Sequence, residues 1–338
     1  MAELELESKR EKLAPFEIKN IDLQELTSEN CVGKGSYGAV FRLTVNGVPR
    51  IAKRIHNVLV SSDVSPSEKR AVQEKFYDES LFLSKLNHPN VVGFIGVHFN
   101  PTDRSDVTLI MECLHMPLGT FLSPEKRPNI PLSVKVHILG DVSCGLLYLH
   151  TQLERQLIHC DLTVRNVLLT RDLRAKIVDL GVSKLLSDDV SQRDSAQTMC
   201  PGNSYYMPPE AMSEDAKYDT HLDVFSFGHL TLHVDIQQFP TVLDVFHTES
   251  MKTAACLGEM EILRRKKSID MVSHDCLRAV ILQCLRDRPE ERPNTKKLNS
   301  TMKTLCAAHP KSVNDIVTAW GPRDQTQVHI ISDTVNNF

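Results

Sequence analysis

The stretch His159-Cys160-Asp161-Leu162-Thr163-Val164-Arg165-Asn166-Val167-Leu168-Leu169 carries more chemical information than any other part of this chain. It sets a carboxylate, Asp161, five residues ahead of a carboxamide, Asn166, and then enters an apolar, strand-like run. Thirteen residues past Asn166 comes Asp179-Leu180-Gly181, again directly after strand-like residues, Ala175 to Val178. His159 and Cys160 raise the alternative of a thiol nucleophile beside its base. Successive residues on an extended segment point to opposite sides, however, so the two would not hydrogen-bond as such a pair must.

Working towards the N-terminus, Gly33-Lys34-Gly35-Ser36-Tyr37-Gly38-Ala39-Val40 fits a phosphate-loop pattern, GxGxxGxV. Gly33, Gly35 and Gly38 would let backbone N–H groups approach phosphate oxygens with no side chain in the way. A dinucleotide fold needs a helix straight after the last glycine. The residues that follow, Ala39 to Val45, are rich in β-branched and aromatic types and end at Asn46-Gly47, a two-residue hairpin signal. The expectation is therefore strand, glycine loop, strand. Lys53 follows on an apolar strand and needs a counter-charge. Glu79 supplies one from a helix expected over Pro66 to Leu86, opened by Ser67. Further strands are expected at Val91–His98 and Val107–Cys113, and helical patterns dominate from about Leu132. The chain thus reads as a small strand-rich half followed by a larger helical half.

These segments resemble eukaryotic protein kinases, whose catalytic loop and metal motif are commonly His-Arg-Asp and Asp-Phe-Gly. Cys160 and Leu180 are departures from that pattern. The resemblance continues through Pro208-Pro209-Glu210, the segment opened by Asp223, and Arg292. It implies an α+β, bilobal protein kinase fold, with a small antiparallel sheet lobe carrying one helix and a larger, mainly helical lobe. On that basis residues 1–22 are an N-terminal extension, 23–112 the small lobe, 113–309 the large lobe and 310–338 a polar tail with little to pack against. The resemblance also implies ATP and Mg²⁺. Asn166 and Asp179 would hold the metal, Lys53 would grip phosphates while paired to Glu79, and Asp161 would accept the proton of the substrate hydroxyl. Val40, Ala52 and Leu168 would line an adenine slot. Glu112 and Leu114 would lie in a linker with backbone donors and acceptors, beside Met111 as gatekeeper. Leu83, Phe94, His159 and Leu180 would form a stacked spine.

The motifs give mixed signals about the acceptor. Arg165, four residues past Asp161, matches the tyrosine kinase pattern and would reach the transferring phosphate. Tyr206 to Glu210 resembles the serine/threonine form, and Asn203 departs from it. The mixture is similar to the tyrosine kinase-like group, with serine or threonine slightly favoured and tyrosine, dual specificity or an inactive scaffold as alternatives. Cys160 stands where many kinases have an arginine that binds an activation-loop phosphate, so weak dependence on loop phosphorylation is expected. Ser187, Ser191, Ser195, Thr198, Tyr205 and Tyr206 are candidate modification sites.

Composition narrows the field. The net charge is −4 over 338 residues with 24% charged, spread with both signs. That lacks the clustered basic excess of a nucleic-acid binder. Nine cysteines without a CxxC pair do not form a zinc or disulfide framework, so reduced thiols in a cytoplasmic protein are expected. The first residues do not form a signal peptide, and no run of about 18 apolar residues suggests a membrane segment. The partners expected are a nucleotide and a protein substrate.

Overall fold

The computed structural model describes residues 2–19, 21, 26–35, 38–55, 63–102, 106–123, 129–153, 155–181, 183–185, 206–212, 219–237 and 265–321. The chain divides into two compact units, Met1–Leu114 and His115–Phe338.

The first unit is built on a five-stranded antiparallel sheet: β1 (Cys31–Gly35), β2 (Gly38–Val45), β3 (Val48–Arg54), then β4 (Phe94–Phe99) and β5 (Val107–Glu112), in spatial order β1-β2-β3-β5-β4. Asn46 and Gly47, both at positive φ, turn β2 into β3 as the hairpin signal required. Before the sheet lies helix α1 (Ala2–Leu13). Helix α2 (Pro66–Leu83) starts at the expected Pro66, but its cap lies two residues before Ser67: Ser65 accepts from the Glu68 N–H, and the Glu68 carboxylate accepts from the Ser65 N–H. This capping box spans Ser65 to Glu68, which is why Ser67 is not the start. The helix also ends at Leu83, short of Leu86.

The leading residues do not trail away from this unit. α1 packs along α2, Lys9 pairs with Asp78, Leu13 is fully buried, and Arg10 stacks over Phe99. Beyond α1, the Ile18 N–H donates to the Val97 carbonyl at 2.8 Å, and Ile18 and Ile21 pack against the cluster of Leu43, Val45, Ala52 and Ile110. The described residues of the N-terminal extension thus pack against the sheet and α2 of this unit.

In the second unit, short strands β6 (Met116–Pro117), β7 (Leu157–Ile158), β8 (Val167–Leu169), β9 (Ala175–Ile177) and β10 (Lys184–Leu185) pair as β6-β8-β9 and β10-β7. Helices α3 (Leu118–Phe121), α4 (Leu132–Thr151), α5 (His221–Ile236), α6 (Asp275–Cys284), α7 (Thr295–Ala308) and α8 (Val313–Trp320) surround them. α4 is long and apolar enough to span a membrane by length and composition, yet most of it is buried against α7, β9 and α8. α5 is buried from Leu222 to Asp235, the mark of a helix with protein on every side. α8 corrects the expectation of little to pack against for the described part of the tail, residues 310–321. Ser312 and Asp315 form its capping box, and Trp320 is buried edge-on to Phe121 and His115, its indole N–H donating to the Arg171 carbonyl.

Candidate active site

The site residues form two groups, one in each unit. In the first unit, the β2–β3 register pairs Val40 with Lys53 and Phe41 with Ala52. Opposed residues share a face and neighbours along a strand alternate. Val40, Lys53 and Ile51 therefore lie on one face, and Ala52 lies on the other, fully buried beside Leu43, Val45 and Ile110. The expectation that Ala52 lines an adenine slot with Val40 is wrong on this geometry. Ile51, paired with Met111 of β5, stands where it was placed. β-strand parity was the signal: a residue adjacent to Lys53 cannot share its side.

Lys53 meets its expected partner. Its Nζ donates to both carboxylate oxygens of Glu79, at 2.7 and 2.9 Å. Glu79 comes from the buried face of α2, between Phe76, Tyr77, Ser80 and Leu83. The glycine loop is a strand–loop–strand, with Gly35 opposite Gly38, while Ser36 and Tyr37 lie outside the described residues. A Cβ on Gly38 would come within 2.5 Å of the Arg54 carbonyl, so only glycine fits there. A Cβ on Gly33 would meet nothing, which leaves its backbone open to a ligand. At the end of β5 the Glu112 N–H donates to the Gly93 carbonyl and its side chain accepts from the Gly93 N–H. Glu112 therefore braces the sheet, and that N–H is not one a nucleotide would use. Leu114, two residues on, is buried.

In the second unit a buried carboxylate organises the catalytic loop. Asp223, fully buried near the start of α5, accepts from the His159 N–H at 2.8 Å, the Cys160 N–H at 3.0 Å and His150 Nε2 at 2.7 Å. His150 Nδ1 continues the chain to Thr295 Oγ1 at 2.6 Å. Two successive N–H groups converge on one carboxylate because Cys160 adopts a left-handed conformation, φ 68°. That costs a non-glycine residue about 1–2 kcal/mol, offset here by the two charge-assisted bonds. The Asp161 N–H then donates to His159 Nδ1 at 3.2 Å, so His159 carries its proton on Nε2 and donates it to the Val178 carbonyl at 3.0 Å. This ties the loop to the segment of Asp179, itself left-handed at φ 61°.

Asn166 closes the arrangement. Its amide nitrogen donates to Asp161 Oδ2 at 2.7 Å and to the Asp161 carbonyl at 2.9 Å, while the Val178 N–H donates to the Asn166 carbonyl. With the amide hydrogens so engaged, the Asn166 side-chain oxygen is the atom suited to a cation, alongside the Asp179 carboxylate. Among the described residues no cluster of three or more His, Cys, Asp or Glu could hold a metal. Two oxygen ligands fit Mg²⁺, which keeps waters and substrate phosphates in its shell, better than they fit Zn²⁺. Leu168, half-buried on β8, is paired with Pro117 and Lys176.

Around this loop, Glu210 and Arg292 form a two-pronged ion pair at 2.5 and 2.8 Å, with the Arg292 side chain fully buried and stacked on Phe225. Cys160 is buried with Ile158, Ala211 and Leu222, where an arginine would have no room for its charge. Tyr206 is 2% exposed, with its hydroxyl 3.1 Å from His233 Nδ1, so in this conformation it is not open to modification. Burial pushes the Tyr206 phenol well above its ordinary value and His233 down to about 4. Ser187, Ser191, Ser195, Thr198, Asn203 and Tyr205 lie outside the described residues. Arg165 is exposed, and its guanidinium makes no hydrogen bond or ion pair among the described residues. The anchoring roles of Asp223 and His150 escaped the sequence reading. The available signal was an acid among the apolar residues Leu222, Val224, Phe225 and Phe227, which cannot be buried without partners.

The comparisons agree with this geometry. Residues 26–302 match the family model described as protein tyrosine and serine/threonine kinase. Cysteine-rich receptor-like protein kinase 11 of Arabidopsis thaliana is 27% identical over 316 residues, covering 88% of this chain and 45% of that protein. Its namesake 14 is 26% identical over 297 residues, covering 84% and 43%. A Dictyostelium discoideum protein named probable serine/threonine-protein kinase kinX is 26% identical over 294 residues, covering 86% and 24%. The chain thus spans less than half the length of these curated relatives. It belongs to the protein tyrosine and serine/threonine kinase family.

Proposed function

We propose that this chain transfers the γ-phosphoryl group of ATP to a serine or threonine hydroxyl of a protein. The observation that carries the reading is the Lys53–Glu79 pair, in which both carboxylate oxygens hold one ammonium on the face of the sheet shared with Val40. A lysine fixed in this way carries phosphate charge without having to be ordered at the moment of reaction. Asp161, oriented by Asn166, would hold the acceptor hydroxyl and take its proton on a carboxylate oxygen. Asn166 and Asp179 would hold Mg²⁺, which when bound neutralises charge on the phosphate oxygens. Asp223 acts one step back, setting the backbone from which Asp161 projects.

The serine/threonine preference is supported by the name of the Dictyostelium relative, a probable serine/threonine-protein kinase, and by the seating of Tyr206. Its buried ring and the Ser226 hydroxyl, which donates to the Tyr206 carbonyl at 2.9 Å, fix the platform before Glu210. A fixed platform sets the depth at which a hydroxyl stands, and misplacement by about 1 Å is enough to slow transfer. The seven described cysteines are free, which supports a reducing, cytoplasmic setting. Phosphoamino-acid analysis of a mixed peptide library tests the acceptor. Phosphoserine and phosphothreonine are expected, and phosphotyrosine as the main product would overturn the assignment.

A further inference from the structure

In the first unit, the residues ahead of the sheet are fastened to both elements that carry the Lys53–Glu79 pair. On α1, Lys9 Nζ meets both carboxylate oxygens of Asp78, at 2.8 and 2.9 Å, and Asp78 immediately precedes Glu79 on α2. Leu13, at the end of α1, is fully buried, and Arg10 stacks over Phe99 of β4 at 5.2 Å. The chain then follows the outer edge of β4. Phe16 meets Phe94 edge-on, the Ile18 N–H donates to the Val97 carbonyl at 2.8 Å, and His98 Nδ1 donates back to the Ile18 carbonyl at 2.8 Å. Val97 opposes Leu109 of β5, which in turn opposes Lys53 of β3. One segment thus grips the helix turn that presents Glu79 and the cross-strand row that presents Lys53. The sheet is shaped to receive it: a Cβ on Gly96 would come within 2.6 Å of the Phe16 carbonyl oxygen and 2.8 Å of the Ile18 side chain.

Residues 2–18 precede the span that matches the family model, residues 26–302, so this fastening lies outside the machinery common to the family. The burial of Leu13 would by itself only add stability. What points further is that the fastenings converge on the two supports of one ion pair. The Lys53–Glu79 bonds are 2.7 and 2.9 Å long, and a shift of α2 by about 1 Å would break them. We infer that residues 9–18 form a strap that sets α2 against the sheet, with Lys9 and Leu13 as positioning residues that act on phosphoryl transfer through Glu79. The inference rests on the kinase reading above and adds the element that keeps its ion pair in register.

The test is kcat/KM for ATP, measured on the full chain well below its unfolding temperature. Lys9→Glu sets a carboxylate against Asp78 without removing core volume, and should cost about three- to fivefold, the scale of an exposed pair made repulsive. Adding Asp78→Lys to that variant should recover most of the loss. Lys12→Glu makes the same charge change at an exposed position of α1 and should cost less than about twofold. Leu13→Ala loosens the buried end of the strap and should cost about tenfold. In a Glu79→Gln background, where the ion pair is already lost, Lys9→Glu and Leu13→Ala should have little further effect. A segment that only stabilises the unit would leave kcat/KM of the folded variants unchanged, or lower it equally with and without Glu79. Either result would overturn the inference, and if Leu13→Ala does not fold, Lys9→Glu and its rescue decide alone. No transfer by the unaltered chain would instead overturn the kinase reading, so the two failures are distinct.

Discussion

Lys53 and Asp161 are held in place by different means. Lys53 is positioned by a single side-chain pair: a strand presents a partly exposed ammonium and a helix presents the buried carboxylate of Glu79, with side chains 18% and 6% exposed. Asp161 is positioned through the backbone. A fully buried carboxylate on another helix gathers two N–H groups of its loop, a histidine ties the loop to the Asp179 segment, and Asn166 pins the carboxylate itself. A single pair with one partly exposed partner loses one interaction when that partner is removed. A buried network loses several, because each group left behind is desolvated and unpaired. The first region should therefore tolerate substitution structurally while losing function, and the second should lose both.

The harshest test of that contrast is Asp223→Ala. It strips the acceptor from the His159 and Cys160 N–H groups and from His150, and leaves the left-handed Cys160 unsupported. We expect a loss of about 3–5 kcal/mol in urea unfolding. A loss below about 1 kcal/mol would show that the loop does not depend on the buried carboxylate.

Arg292→Ala comes next. It leaves Glu210 partly buried without its cation and removes the stack on Phe225, for an expected cost of about 3 kcal/mol. Removing Glu210 should cost less than removing Arg292, since the arginine also donates to the carbonyls of Arg286, Asp287 and His221. Equal losses for the two single variants would mean that the ion pair alone matters.

A milder effect follows from His233. Its folded value of about 4 lies below the unfolded value near 6.5, so between them the unfolded chain binds the extra proton. Stability from this group is full above about pH 6.5 and falls as the pH drops towards 4, by roughly 2 kcal/mol at about pH 5. His233→Gln should flatten that part of the pH–stability curve. An unchanged slope would show that His233 titrates as an exposed histidine.

The same contrast explains what could be read from sequence. Lys53, Asp161, Asn166 and Asp179 were picked out because each belongs to a short motif at fixed spacing, Glu79 because Lys53 needed a counter-charge, and Glu210 and Arg292 because the resemblance extends through them. Ala52 was misplaced because a motif was matched by residue type while the two-residue period of β3 puts Ile51 on the Lys53 side. The Asp223–His150–Thr295 network was illegible because its members are 73 and 145 residues from His150, and only the packing of three helices brings them together. The tail from Pro310 was read as having little to pack against because its polar residues hid a short apolar stripe, and residues 1–22 were read only as an extension. Leu13 and Trp320 anchor them, and the Ser312–Asp315 capping box was the overlooked sign of α8.

The central claim is that the Lys53–Glu79 pair serves phosphoryl transfer and not the fold. Lys53→Met tests it when transfer from ATP to a peptide and unfolding are measured on the same preparation. The account predicts at least about a hundredfold loss in kcat, the scale of removing one preorganised charge contact, with stability lowered by about 1–3 kcal/mol, the cost of leaving the buried Glu79 carboxylate unpaired. Transfer within a few fold of the unaltered chain, in a variant that stays folded, would contradict it.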